Sequence, residues 1–282
     1  MKKPWEYYDY CHQPYMPITS PRGKYSSDIF LKQLLFQSPY QKPFLLIIKK
    51  IRDAIGPWNT VWGVKLDRGT LTWELYFYNH CAMDSRMARI SLFNVFRSYF
   101  KIPVLGEIDI ERQPYLMFSV DLSDDVLKSK QIDSVHLYMN GGEGVSQGNS
   151  YYWGGDGVYF ENHYDFFYMP QETQQLVSKV RNSIILAKDC TSFFKHDLVR
   201  KLMPCYKICV AHKKHKDGVY FSRINVDQLL YFLEYFSFPA HIVDFVKSHQ
   251  KKLDHLLYDV AFDCTRGPLG PVFSKGSFYG VF

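Results

Sequence analysis

Residues 64–78 carry the pattern that decides the fold: Val64-Lys65-Leu66-Asp67, a short turn at Arg68-Gly69, and a second strand that contains Leu75-Tyr76-Phe77. Apolar and polar side chains alternate on both sides of the turn, which is the period of a β-strand. A turn this short can only return the chain antiparallel to itself, so the stretch predicts a β-hairpin.

A tyrosine recurs in the same setting in four further hairpin patterns. Its other occurrences are Leu137-Tyr138-Met139, Val158-Tyr159-Phe160, Val219-Tyr220-Phe221 and Phe278-Tyr279-Gly280. The first strand ends in an apolar residue, any residue, a second apolar residue and Asp. The same pattern recurs at Phe118-Ser119-Val120-Asp121 and Val260-Ala261-Phe262-Asp263. A unit that repeats along a chain usually repeats in space. We therefore expect the five central tyrosines to face one common interior.

Composition describes a globular chain that is rich in aromatic side chains. Of its 282 residues, 46% are hydrophobic, 22% are charged and 17% are aromatic, and these values exclude a disordered protein. So many rings fill a broad core or line a pocket for an apolar or cationic ligand. The net charge of +6 is mild and no nucleic-acid-binding motif is present, so we expect no nucleic-acid partner.

The cysteines and the apolar runs bear on location. Six cysteines occur without a Cys-x-x-Cys pair, which favours free thiols and a reducing, cytoplasmic location. The residues after Met1 do not form the apolar segment of a signal peptide. The longest aliphatic run, 44–48, is too short to span a bilayer.

The chain divides into an arm and one larger unit. Residues 1–25 are rich in tyrosine and proline without any period, and we expect an extended arm that packs its aromatic rings on the rest. Residues 26–282 alternate helical patterns with the five hairpins, and we expect a single domain. Asn225 and Gln228 resemble a capping box at the start of one helix.

The order of elements predicts an α+β fold with about ten antiparallel strands. Hairpins pair strands antiparallel, so the strands form either an open twisted sheet or a closed barrel with an outer layer of helices. Residues 278–282 are largely apolar, and an exposed apolar edge strand invites aggregation. We therefore expect the closed barrel, built from repeated αββα units.

This layout resembles the aromatic prenyltransferases of the ABBA type. The resemblance covers about residues 40–282 and rests on element order and on the motifs that pair Asp67 with Tyr76 and Asp263 with Tyr279. It implies a PT barrel, in which ten antiparallel strands close, helices lie outside and the active site lies in the lumen. The absence of a helical pattern between the second and third hairpins departs from the family's repeat.

The resemblance implies a transferase that moves a prenyl group from an allylic diphosphate to an aromatic small molecule or peptide. The carbocation formed by such a substrate needs electron-rich ring faces, which would explain the recurring tyrosines as substrate-binding residues. Basic side chains would hold the diphosphate. A Mg²⁺ ion could accompany it, although no motif requires a metal.

The basic residues of the family do not stand at their usual positions. In many members a lysine precedes the strand tyrosine by two residues. The corresponding residues in this chain are Glu74, His136, Gly157, Gly218 and Ser277. Other basic strand residues would therefore bind the diphosphate: Lys65, Lys207, Arg223 and Lys275.

Glu74 and His136 are the candidate catalytic bases. Each lies two residues before a strand tyrosine and therefore shares its face. In a barrel lumen, either side chain could accept the proton that an aromatic acceptor loses. The alternatives are a solvent-facing carboxylate for Glu74 and a purely structural histidine for His136.

Two other classes of function compete with the enzyme. The barrel could bind a hydrophobic or aromatic ligand without catalysis, which the missing lysines favour. The chain could also be a protein-interaction module, with residues 1–25 as its docking element. Glu161, His163 and Asp165 alternate on one strand and could bind a metal, but polar strand faces commonly have this spacing, and we expect no metal.

Overall fold

The computed structural model describes residues 7–36, 38–78, 86–102, 117–140, 147–183 and 190–282, and its main feature is a closed barrel of ten antiparallel strands. In the arm, β1 (Tyr7–Tyr8) and β2 (Pro14–Tyr15) form a separate small sheet. The barrel strands are β3 (Val61–Asp67), β4 (Thr70–Tyr78), β5 (Met117–Leu122), β6 (Ser134–Asn140), β7 (Gln147–Gly154), β8 (Gly157–Tyr168), β9 (Lys207–His212), β10 (Asp217–Ile224), β11 (Tyr258–Gly267) and β12 (Gly270–Val281). The predicted fold class is confirmed.

The barrel closes between its first and last strands. β12 pairs antiparallel with β3, from Gly276 opposite Leu66 to Val281 opposite Val61. Each of these strands therefore has a partner on both sides, and the apolar end of the chain is covered rather than left as an edge. This is the closure that the apolar C-terminal residues predict.

Side chains alternate between the lumen and the helical layer, as the period of two requires. In β4, Trp73, Leu75 and Phe77 belong to the large core beneath the helices. Tyr76 and Tyr78 on the same strand belong to a second cluster inside the lumen. The barrel wall thus separates a dry outer core from a lumen that also carries polar groups.

The described helices surround the barrel, and their apolar faces pack on its outer side. They are α1 (Ile29–Leu34), α2 (Gln41–Ile55), α3 (Arg86–Tyr99), α4 (Asp124–Ser129), α5 (Thr173–Asn182), α6 (Cys190–Lys195), α7 (Asp197–Lys201), α8 (Val226–Tyr235) and α9 (Ala240–Leu253). In α2, Phe44, Ile47 and Ile51 are buried at helical spacing. The predicted capping box opens α8, with Asn225 and Gln228 each accepting from the other's backbone N–H.

The two ends of the barrel differ in what they carry. All five hairpins turn at one end, the hairpin end, with turns at 68–69, 123–133, 155–156, 213–216 and 268–269. The other connections enter and leave at the opposite end, the arm end. Because the strands alternate in direction, the position of a residue along its strand decides the end to which it belongs.

Residues 7–15 of the arm fold back onto the arm end. Asp9 Oδ2 accepts from Arg223 Nε at 2.8 Å, and the Tyr78 hydroxyl donates to Tyr10 O at 2.6 Å. The Tyr10 ring lies inside the lumen, with its centroid 4.3 Å from that of Tyr279. These aromatic residues therefore pack on the barrel, as expected from the apolar character of the arm.

Several elements differ from the sequence prediction in extent. β7 and β8 span 147–168, whereas the pattern predicts about 151–164. The connection after β5 contains α4, which Ser123 caps by accepting a hydrogen bond from Val126 N. One helix is predicted over about 171–188, but α5 ends at Asn182, and 184–189 lie outside the described residues. The connection between β6 and β7, where the sequence shows no helical pattern, is 141–146 and lies outside the described residues.

The state of the cysteines and the length of the helices bear on the predicted cytoplasmic location. The cysteines of the described ranges, Cys11, Cys190, Cys205, Cys209 and Cys264, are free. Among the same residues, every helix is too short or too polar to cross a bilayer. The cytoplasmic location stays a prediction.

Barrel closure depends on a close approach that glycine permits. A Cβ atom at Gly280 would lie 2.4 Å from the Trp62 ring, and that ring is fully buried. We expect Gly280→Ala to lower the free energy of unfolding by about 1–3 kcal/mol, because the buried indole must move. Chemical denaturation followed by tryptophan fluorescence measures the change.

Gly155→Ala is the matched control, because a Cβ at this exposed turn meets nothing within 4 Å. We expect it to change the free energy of unfolding by less than about 0.5 kcal/mol. Equal stability of Gly280→Ala and wild type would contradict the packing argument.

Candidate functional site

The lumen contains a large cavity toward the arm end, called here the apolar cavity. Its volume is about 280 Å³. Rings and thioethers dominate its wall, including Tyr78, Met117 and Phe166, and the arm residues 10–14 close its outer side. A cavity of this size and lining suits the apolar or aromatic part of a small ligand.

A second cavity, called here the polar cavity, lies toward the hairpin end and has a volume of about 80 Å³. Cationic and anionic side chains face each other in it. They include Lys65, Lys213, Lys275, Glu74, Glu161 and Asp263. This lining suits a charged group rather than an apolar one.

Three tyrosines separate the two cavities. Tyr138, Tyr164 and Tyr220 each line both of them. The Tyr164 centroid lies 6.1 Å from that of Tyr138 and 6.4 Å from that of Tyr220. A ligand with a charged group in one cavity and an apolar part in the other would therefore cross this tyrosine layer.

Four of the five repeated tyrosines face the common interior, as predicted. Tyr76, Tyr138, Tyr220 and Tyr279 line the polar cavity. The expectation is wrong for Tyr159, whose side chain is 50% exposed and donates to Asp156 O within its own hairpin. Tyr159 is only the third residue after the turn at 155–156, so it lies at the mouth of the barrel and not within it.

Glu74 is buried at the centre of a network inside the lumen. Its carboxylate accepts from the Tyr76 hydroxyl at 2.5 Å and from the Tyr138 hydroxyl at 3.3 Å. It also accepts from the Ser119 hydroxyl and forms an ion pair with Lys65. The alternative of a solvent-facing carboxylate is therefore wrong, whereas the catalytic role stays a prediction.

His136 is held between two carboxylates. Its Nδ1 lies 3.1 Å from Glu161 Oε2, and its Nε2 lies 3.2 Å from Asp121 Oδ2. Although burial opposes the charged form, the bonds to Asp121 and Glu161 raise the pKa of His136 to about 10. At neutral pH the ring is an imidazolium, so it adds positive charge and is poorly prepared to accept a proton. Its role as a base stays a prediction.

The basic residues predicted to hold the diphosphate lie at two ends of the lumen. Lys65 and Lys275 line the polar cavity, whereas Lys207 lines the apolar cavity. Arg223 is engaged by Asp9 of the arm. One diphosphate cannot reach all four, because Lys65 lies near a hairpin turn while Lys207 begins its strand at the arm end. Their binding roles stay predictions.

Lys275 differs from its lysine neighbours in the polar cavity. Lys65 pairs with Glu74 and Asp121, and Lys213 pairs with Asp263. Among the described residues, Lys275 forms no ion pair. Burial, and then the charges of Lys65 and Lys213, lower the pKa of Lys275. The charge of Asp263 acts in the opposite direction, and an anion bound here would stabilise the ammonium form.

A β-bulge divides the polar residues of β8. Phe160 pairs with Tyr151 and Asn162 with Ser150, so Glu161 is the extra residue. Glu161 therefore faces the lumen, whereas His163 and Asp165 lie on the outer face, where His163 Nε2 is 3.5 Å from Asp165 Oδ2. The three side chains therefore do not share one face, although strict alternation along the strand would allow it. Within the described ranges, no group of three or more potential ligands is arranged to hold a metal.

Sequence reasoning missed three residues that shape the lumen. Tyr164 completes the tyrosine layer, but the bulge shifts it out of the predicted register. Tyr10 comes from the arm, which has no period from which its position could be read. Lys213 begins the basic run 213–216 between two strand patterns, which by itself gives no sign of a place in the lumen, and its Nζ donates to Asp263 Oδ1 at 2.7 Å.

Comparison with solved structures identifies the fold. The chain superimposes on 5-dimethylallyl tryptophan synthase from Streptomyces coelicolor, solved with DMASPP and tryptophan, with a TM-score of 0.53. The match has 11% sequence identity and covers 89% of this chain and 92% of that one. The chain has the PT-barrel fold of the ABBA-type aromatic prenyltransferases. The resemblance predicted from the hairpin motifs is confirmed at the level of fold.

Sequence comparison finds only distant similarity between this PT barrel and a curated protein. No protein-family model matches the chain. It is 20% identical over 289 residues to a JmjC domain-containing protein of Acanthamoeba polyphaga mimivirus, which covers 88% of this chain. The PT barrel spans about half the length of that relative, 46%.

Two buried carboxylates, Asp9 and Asp259, hold the arm against the PT barrel. Asp259 accepts from the backbone N–H groups of Tyr10 and Arg223, the latter at 2.9 Å. Asp9 is also buried and lies close enough to repel it. Burial and the charge of Asp9 raise the pKa of Asp259 to about 7. The arm is therefore held by a carboxyl group that titrates near neutrality.

This titration predicts a pH-dependent stability. Because the pKa of Asp259 is raised on folding, its protonated form favours the folded state. The stabilisation is complete below the ordinary pKa of Asp and is lost as the pH rises to about 7. We expect the amide hydrogen of Tyr10 to be less protected from exchange at pH 8 than at pH 5. Hydrogen exchange, corrected for the intrinsic pH dependence of the rate, measures this.

Asp259→Asn is the control, because an amide does not titrate. We expect lower stability at pH 5, since one acceptor becomes a donor, and a flatter profile between pH 5 and 8. An unchanged profile in the variant would assign the pH dependence to another group.

Proposed function

We propose that the protein transfers a prenyl group from an allylic diphosphate to an aromatic acceptor. One observation carries the proposal: Tyr138, Tyr164 and Tyr220 line both a cavity with several cations and an apolar cavity. An allylic diphosphate has the same division into an anionic head and an apolar tail. The similarity to a synthase solved with DMASPP and tryptophan supports the same reading.

The diphosphate binds in the polar cavity. Lys275 is the cation there that has no ion pair among the described residues, and Lys65 and Lys213 lower its pKa further after burial. A bound diphosphate would relieve this mutual repulsion and accept hydrogen bonds from the ammonium groups. The imidazolium of His136 adds a further positive charge.

The bond that breaks lies at the tyrosine layer. The allylic carbon–oxygen bond ionises, its electron pair leaves with the diphosphate, and the ring faces stabilise the allylic carbocation. The acceptor occupies the apolar cavity and donates an electron pair from a ring atom, which forms the new bond. The arm keeps water from the cation because residues 10–14 cover this cavity.

The acceptor then loses a proton, and the Tyr138 hydroxyl passes it to Glu74. Tyr138 reaches the apolar cavity with its ring and donates to Glu74 Oε1 at 3.3 Å. When Tyr138 accepts the proton of the acceptor, its own proton moves to the carboxylate. Glu74 is a better base for this step than His136, which already carries a proton at neutral pH.

Lys275→Met tests the diphosphate site. We expect the affinity for dimethylallyl diphosphate, measured by calorimetry, to fall by about tenfold or more, because a charge-assisted hydrogen bond is lost. Lys214→Met is the matched control, since Lys214 is exposed in a turn at the same end of the barrel. If both variants lost the same affinity, the loss would follow from the lower net charge alone, and this would contradict a defined diphosphate site at Lys275.

Glu74→Gln and Tyr138→Phe test the proton path. We expect each to lower kcat by about a hundredfold or more, as loss of a general base does, without a loss of diphosphate affinity, because Glu74→Gln removes a negative charge from the polar cavity. Products from a panel of phenols and indoles are counted by mass spectrometry. Tyr159→Phe is the control, because its hydroxyl lies outside the lumen. Full activity of Glu74→Gln would exclude this carboxylate as the base.

A second candidate is a barrel that binds an aromatic ligand without catalysis. The observation that favours it is the pairing of Lys65 and Lys213 with carboxylates, which neutralises much of the positive charge. Calorimetry that detects an aromatic ligand but no prenyl diphosphate, with no product by mass spectrometry, would select this candidate. The hypothesis that the arm docks on another protein is less favoured, because Tyr10 of the arm is buried inside its own barrel.

A further inference from the structure

Lys207 is a buried cation that the proposed transfer does not use. It is the first residue of β9, lines the apolar cavity and is 5% exposed. Its ammonium group donates to Gln13 Oε1 at 3.3 Å and lies 4.7 Å from the centroid of the Tyr168 ring. Both partners are neutral. Among the described residues, no carboxylate forms an ion pair with it.

A buried ammonium group without a carboxylate is costly unless something else compensates it. Asp9 of the arm forms its ion pair with Arg223 instead. Although burial opposes the charge, Cys11, Tyr168 and Asp9 raise the pKa of Lys207, so the amine remains an ammonium group. This ammonium group lines the cavity and forms no ion pair among the described residues, so it can pair with an anionic ligand there.

The surroundings of Lys207 define the rest of the ligand. Phe166, Tyr164 and Tyr220 present rings to the same cavity, and Cys209 adds a small apolar surface. A planar apolar body fits between such rings. The amide side chain of Gln13 is held beside the ammonium group, so its N–H groups can serve as further donors to an anion.

We propose that the apolar cavity binds an aromatic carboxylate, with its ring between the tyrosines and its carboxylate on Lys207. The inference deepens the proposed function, because it names the chemical class of the acceptor, and it rests on that function only for the acceptor's role. Binding itself requires no prenyl donor. The carboxylate would also be covered by the arm, since Gln13 lies over the site.

A carboxylate matches this site better than a diphosphate does. Lys207 is the only lysine or arginine that lines the apolar cavity among the described residues. A diphosphate carries two or more charges and is normally held by several basic groups. Three lysines line the polar cavity at the opposite end. The single charge of a carboxylate therefore suits Lys207, and the diphosphate suits the polar cavity.

Calorimetry with two matched probes tests the proposal. Indole-3-acetate and indole-3-acetamide share the ring and differ in charge, and both are titrated into the full chain without a prenyl donor. We expect indole-3-acetate to bind about tenfold or more tightly than the amide, because it gains a charge-assisted hydrogen bond. We expect Lys207→Met to abolish this preference and Lys207→Arg to retain most of it.

Thermal unfolding of the same variants separates a ligand role from a structural one. If Lys207 serves a ligand, Lys207→Met removes a buried, unpaired charge, and its Tm without ligand equals or exceeds that of wild type. A lower Tm of Lys207→Met, with the preference for indole-3-acetate intact, would overturn the proposal. Equal affinities of the two probes for wild type, or binding of neither at millimolar concentration, would also overturn it.

Lys275→Met distinguishes this inference from the proposed function. We expect it to bind indole-3-acetate as wild type does, since Lys275 lines the other cavity. Loss of the preference in Lys275→Met would place the carboxylate in the polar cavity and overturn the assignment to Lys207. Wild-type binding of indole-3-acetate without any prenyl product would leave the Lys207 site standing while the proposed transfer fails.

Discussion

The pairing of β12 with β3 is the constraint on which the rest of the molecule depends. It joins the last strand to the first one and leaves the barrel without an edge. The approach is close enough that a Cβ at Gly63 would meet Tyr279, and one at Gly280 would meet Trp62. Because this pairing fixes the circumference, it also fixes how far apart the side chains in the lumen lie.

A closed lumen of this width cannot be filled by aliphatic side chains in the way that the outer core is. Tyrosine rings occupy its middle, and their hydroxyl groups need partners because they are buried. The Glu74 carboxylate supplies one such partner, since it accepts from Tyr76 and Tyr138. The layer of rings thus has a polar side toward the hairpin end and an apolar side toward the arm end, and this division gives the lumen two chemically distinct cavities.

Charge is distributed along the same axis. At the hairpin end, carboxylates offset most of the lysines, and Lys275 keeps a surplus. At the arm end, Lys207 is buried in largely apolar surroundings without an ion pair among the described residues, while the arm brings Asp9 to Arg223. The arm is therefore part of the lumen wall, and the titration of Asp259 couples its seating to pH.

The sequence by itself determined the hairpins, the closed antiparallel barrel and the inward direction of Tyr76, Tyr138, Tyr220 and Tyr279, because alternation and short turns are local properties. Only the tertiary structure decided which end of the lumen each residue reaches. Strand position and the bulge at Glu161 set Tyr159 outside, brought Tyr164 into the ring layer and separated Lys207 from Lys65. The protonation of His136 also depends on the tertiary structure, because the carboxylates that raise its pKa lie on two other strands.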